Sequence, residues 1–117
     1  MPKLRSETYG SGDTRWMATR HGMVNARTMT LDASKVGGEG KNKGIVLSGT
    51  PLAEVSGKVQ PWDGSTGEFV GHCLFDQDAR YGDVAVPIYW HGSVFADKVP
   101  GEFTAPTTQT KTSLVYL

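Results

Sequence analysis

From Gly44 to Leu117 the chain is cut by fourteen glycines and prolines into short apolar runs rich in Val, Ile, Tyr, Phe and Trp. Runs of four to eight such residues between turn formers read as strands, and no window carries a sustained 3.6-residue period. GIVLSG at 44–49 is one run, ended by Pro51. The stretch 52–59 reads as strand, tight turn at Ser56-Gly57, and strand. Pro61-Trp62-Asp63-Gly64 is a turn in which proline pre-sets φ and Asp-Gly accepts positive φ. EFVGHCLF at 68–75 alternates only weakly. VAVPIYW at 84–90 carries Pro87, which cannot donate to a ladder and so predicts an edge strand or a bulge. His91-Gly92 then reads as a hairpin turn into SVFAD, QDARYGD at 77–83 could hold one helical turn, and TSLVYL predicts a terminal strand. The expected class is mainly β with short helical pieces, a small β-rich α+β body.

Ahead of this body the composition changes. Residues 1–43 hold eight basic and four acidic side chains, a net of +4, whereas 44–117 hold four basic and eight acidic, a net of −4. All four methionines lie in the first part, and nine of the eleven aromatics in the second. Residues 1–43 are therefore read as an extended basic N-terminal arm, and 44–117 as a compact, acidic, β-rich body. Within the arm, Gly10, Ser11, Gly12 and the run GGEGKNKG at 37–44 are linker-like. RTMTLD at 27–32 puts Thr28 and Thr30 on one face and Met29 and Leu31 on the other, a strand pattern outside the body that could add to another protein's sheet. Deleting residues 1–31 is expected to leave the body folded.

A 74-residue body sits near the size at which one core supplies only a few kcal/mol, so a staple is expected. Cys73 is the only cysteine, which removes an internal disulfide. His21, His72 and His91 are widely spaced, and no metal-ligand motif is present, so neither metal nor cofactor is expected. Oligomerisation is the staple left. No 18-residue apolar run is present for a helical membrane span, and the first residues do not read as a secretory signal.

Candidate chemistry is sparse. His72 and Cys73 are neighbours in a strand and point to opposite faces, so they cannot form a dyad, and Cys73 reads as a small buried hydrophobe. His91 reads as a turn residue. Asp76, Asp78 and Asp83 lack calcium-loop spacing and read as a solvated acidic face. GGEGKNKG lacks phosphate-loop spacing. With no nucleophile and base, and no paired acid and base, no enzyme is expected. The arm's charges are half offset by acids, which favours protein over direct nucleic-acid binding. Its anchors would be Tyr9, Arg15, Trp16, Met17, Arg20, Met23, Val24 and Arg27, with the 28–31 strand beside them. Trp62 reads equally as an oligomer anchor or a core plug.

TPLAEVSGKVQPWDGSTGEFVGHCL, from Thr50 to Leu74, resembles the lambda-type head decoration, or capsid cement, proteins of tailed bacteriophages. Thr50, Pro51, Leu52, Trp62, Asp63, Gly64, Thr66, Val70, Gly71 and Leu74 match that family's pattern, with Ser65 replacing a threonine. IYWHGSVFADKVPG at 88–101 looks like its aromatic strand, glycine hairpin and following strand. The arm does not match residue by residue and is longer. The resemblance implies a structural virion protein on the outer surface of the capsid, trimeric at three-fold and quasi-three-fold positions. It also implies an N-terminal arm that orders on the major capsid protein, and possible trimer contacts in the 50–66 motif. No membrane partner is implied. A second reading stays open, a β-rich adhesion or binding module on a phage head or tail fibre.

Overall fold

The computed structural model describes residues 13–19, 26–37, 43–101 and 103–117. The chain is mainly β, with nine strands and two single 3₁₀ turns among these residues. Five strands close into a barrel: β1 (Arg27–Leu31), β3 (Pro51–Val55), β4 (Lys58–Pro61), β5 (Glu68–Cys73) and β7 (Val84–Tyr89), in the order β1-β4-β3-β5-β7. Short β2 (Ile45–Val46) pairs with β6 (Gln77–Asp78), and β8 (His91–Val94) pairs in parallel with β9 (Ser113–Tyr116). The 3₁₀ turns span Ala33–Lys35 and Ala96–Lys98.

The β3–β4 hairpin turns at Ser56 and Gly57, both with positive φ (54° and 86°). That pair of conformations matches the twist of the strands it joins. The weak alternation of 68–75 has a structural cause. The β3–β5 register shifts, so that Leu52 faces Gly71 while Ala53 faces Phe69. The extra residue lets Val70 and Cys73, three apart, share the barrel interior, while Phe69 and His72 join the aromatic layer outside. Gly71 has φ 130°, and a Cβ there would lie 2.4 Å from the Tyr89 carbonyl oxygen, so the bulge closes only on glycine.

Two packed layers result. Leu31, Val46, Leu52, Val59, Val70, Cys73, Ala79, Val86 and Ile88 fill the barrel. Outside it, Trp16, Phe69, Leu74, Tyr89, Val94, Val99 and Leu114 pack with half-buried Trp62, Phe103 and Tyr116 beneath β8 and β9.

Several expectations are corrected. The strand pattern at 27–32 is not spare: β1 pairs along its whole length with β7 and meets β4 at Leu31↔Val59. Leu31 has no exposed surface, and Trp16 is 1% exposed. The packed body thus reaches upstream of Lys43, because β1 supplies the strand that closes the barrel and Trp16 fills the second layer.

Pro87 lies inside the sheet, opposite Thr28 of β1, rather than at an edge. Its carbonyl accepts from Leu74 N (3.0 Å), so its nitrogen also faces β5, just beyond the last β5–β7 pair, Cys73↔Ile88. The missing N–H therefore costs the β1 ladder nothing. His91-Gly92 is part of β8 rather than a hairpin turn, because β8 leaves the barrel to pair with β9. Residues 77–83 form β6 and a turn, without a helix.

At Leu114 the β9 edge away from β8 is closed by a side chain. The Gln109 amide donates to the Leu114 carbonyl (2.9 Å) and accepts from its N–H (3.0 Å), while the Thr112 hydroxyl holds the amide oxygen.

Candidate docking surfaces

The residues that carry the family resemblance form one corner. Pro51 and Leu52 are buried at the start of β3, and the Trp62 N–H donates to the Pro51 carbonyl (2.8 Å), folding the 61–66 turn back onto that strand. The Thr50 carbonyl accepts from Cys73 N (2.8 Å), which ties the same corner to the end of β5. Asp63 organises the turn: its carboxylate accepts from Ser65 N (2.9 Å), Thr66 N (2.7 Å) and Thr66 Oγ1 (2.7 Å). Those bonds, the Thr66 backbone contact first, draw its pKa down to about 2. Gly64 follows with φ 100°, as the Asp-Gly turn requires. Pro51, Trp62, Asp63, Gly64, Phe103 and Thr104 line a shallow depression of about 170 Å³. Trp62 is half-buried with its ring centroid 4.9 Å from that of Phe69, so it packs as a partial plug and keeps one part at the surface.

The expected arm anchors separate. Tyr9, Arg20, Met23 and Val24 lie outside the described residues. Arg15 is exposed and forms a forked pair with Asp13 (2.7 Å at its shortest). Trp16 is an internal group. Met17 is half-buried and bridges Val94 antiparallel, while Ala18 N donates to the Ser93 carbonyl and Phe95 N to the Trp16 carbonyl. Segment 16–18 thereby lines the free side of β8. Arg27 is exposed, lies 4.0 Å over the Trp90 ring and donates to the Lys111 carbonyl (2.9 Å). Thr28 and Thr30 face solvent from β1, and Met29 packs half-buried against the barrel core.

Beneath the second layer lies a polar set that sequence reasoning missed. Because Pro87 has no N–H to return to Leu74, the Leu74 carbonyl needs another donor. Ser48 Oγ supplies it (2.7 Å) and accepts in turn from Trp16 Nε1 (3.0 Å). Ser48 N donates to Asp76 Oδ1 (2.7 Å). His72, also fully buried, spans the same layer, with Nδ1 2.8 Å from the Gly49 carbonyl and Nε2 2.8 Å from Tyr116 Oη. A carbonyl only accepts, so Nδ1 carries the proton and Nε2 accepts from the tyrosine hydroxyl. Burial lowers the His72 pKa to about 4 and raises that of Tyr116, so both are neutral near pH 7. Ser48 gives no signal in the sequence, since its role exists only because Pro87 sits opposite Leu74.

Cys73 and His72 do point to opposite faces. Burial pushes the Cys73 thiol up to about 12, which suppresses its nucleophilic thiolate near neutral pH. The three aspartates do not converge: Asp76 serves Ser48, Asp78 pairs with Arg80 (2.8 Å), and Asp83 pairs with Lys58 (2.7 Å) and accepts from Ala33 N. His91 stacks on Trp90.

No protein-family model matches this chain, and no curated protein matches it.

Proposed function

We propose that this protein is a capsid decoration protein of a tailed bacteriophage, which binds the outer surface of the head as trimers at three-fold and quasi-three-fold positions. The observation that carries this reading is the 50–74 corner. The residues that resemble the decoration family, from Thr50 through the Trp62-Asp63-Gly64 turn to Leu74, fold as one continuous unit held by the Trp62–Pro51 bond, the Asp63 cap and the Gly71 bulge. The β-rich body supports it further.

The activity is mechanical. Packaged DNA pushes outward, and a trimer that bridges neighbouring subunits of the expanded shell stabilises that state, because a ligand that binds one state alone shifts the equilibrium toward it. Several weak contacts from three chains add through effective concentration. With Trp16 and Leu31 committed to the body, contact with the major capsid protein falls to the remaining N-terminal residues, Tyr9, Arg20, Met23 and Val24, and to the exposed Arg15, Arg27, Thr28 and Thr30.

Electron microscopy of undecorated heads mixed with the protein tests the reading. Regular knobs at local three-fold positions are expected, with occupancy that falls as salt is raised. Heads that stay bare at saturating protein would overturn it.

A further inference from the structure

Among the described residues, five large hydrophobic side chains are exposed: Leu47, Tyr81, Phe95, Val115 and Leu117. Three of them share one surface. In the β8–β9 ladder Ser93 pairs with Val115 and Val94 with Tyr116, and the bonds from Leu117 N to the Val94 carbonyl and from Ala96 N to the Leu117 carbonyl carry the ladder one step further. Side chains alternate along each strand, so Val94, Leu114 and Tyr116 face the aromatic layer. The other face presents His91, Ser93, Phe95, Ser113, Val115 and Leu117. Phe95, Val115 and Leu117 are 40%, 57% and 63% exposed.

We infer that this outer face of β8 and β9 is where one copy of the chain packs against another. Large apolar side chains gathered on one exposed sheet face mark an interaction surface. None of the six positions carries Asp, Glu, Lys or Arg. Depletion of charge around apolar and aromatic groups marks the centre of an interface. None of these side chains would bring a fixed charge to a three-fold axis, where the same residues of three copies converge, so identical chains suit the face. The edge of β9 is closed at Leu114 by Gln109, so the contact runs through the side chains of this face instead of by an added strand. The inference rests on the trimeric assembly proposed above and assigns it a surface.

Sedimentation equilibrium of the full chain over a wide concentration range tests it. The parent should approach the mass of three chains. Val115→Asp and, separately, Leu117→Asp should each raise the dissociation constant about 100-fold, the scale of a well-buried interface anchor. Both positions are exposed within one chain, and unchanged thermal melting of dilute samples establishes that the variants fold. Tyr81→Asp, on a different exposed loop, should leave association as in the parent. Variants that still sediment as trimers overturn the inference, whether or not they decorate heads. If they remain trimers but no longer decorate, the face belongs to the capsid contact instead. A parent that stays monomeric at every concentration also overturns it. Loss of trimer in both variants, combined with failure of the parent to decorate heads, supports the inference and removes the decoration reading alone.

Discussion

The barrel interior and the aromatic layer outside it hold together in different ways. The interior is aliphatic: Leu31, Leu52, Val59, Val70, Val86 and Ile88 come from strands that already neighbour one another through the ladder. The outer layer gathers Trp16, His72, Tyr89 and Tyr116 from across the chain and fixes them by their polar tips. Trp16 reaches Ser48, His72 reaches Gly49 and Tyr116, and the Tyr89 hydroxyl donates to the Thr19 carbonyl (2.8 Å) while accepting from Ser93 N (3.1 Å). An apolar interior tolerates small volume changes, whereas a hydrogen-bonded aromatic layer loses packing and partners together.

The sharpest way to break this contrast is truncation. Deleting residues 1–31 removes both Trp16 and β1, opening the barrel and emptying the second layer at once. The expected result is loss of the cooperative transition in circular dichroism, where deletion of residues 1–12 preserves it. Trp16→Ala alone should cost about 3 to 5 kcal/mol in urea denaturation, since it combines a large cavity with the loss of the hydrogen bond that Ser48 Oγ accepts. Leu52→Ala in the barrel should cost less than Trp16→Ala if the layers differ as described.

Acid should act on the outer layer first. The His72 pKa is lowered by burial from 6.5 to about 4, so the unfolded chain takes up its proton before the folded one does. Stability is complete above about pH 6.5 and falls as pH drops toward 4, by about 3 kcal/mol in total. His72→Gln should flatten that part of the stability profile. Asp63 acts in a lower window: its depressed pKa contributes stability above 3.8 that is lost as pH falls through about 2.

Smaller effects sharpen the account of Pro87. Ser48→Ala should cost about 1 to 3 kcal/mol because Leu74 O and Trp16 Nε1 lose their partner. In a Pro87→Ala background the new N–H faces Leu74 O, so the same change should cost less, and equal costs in a double-mutant cycle would break the link. Gly64→Val should cost about 1 to 2 kcal/mol through backbone strain alone, since no atom lies within 4 Å of the added Cβ.

How much of this was legible in the sequence follows the same division. The barrel strands other than β1, the Ser56-Gly57 and Asp63-Gly64 turns, the terminal strand and the burial of Cys73 follow from local patterns. The fate of RTMTL did not, because a two-sided strand looks the same whether it completes its own barrel or another protein's. The charge shift at Lys43 follows surface composition, which packing does not respect. Pro87 misled because its cost depends on which side its nitrogen faces, a matter of register. The docking candidates were legible as residue types, but Trp16 and Leu31 were claimed by the interior.

The amide of Gln109 has a consequence for how large an assembly can become. A sheet whose last strand exposes its backbone can recruit strands without limit, which leads toward fibres. At Leu114 the place of the next strand is already taken by a single side-chain amide, which has no further backbone to continue the pattern. Growth in that direction stops after a single step, and any association through the neighbouring face is left free to close on a small, fixed number of copies.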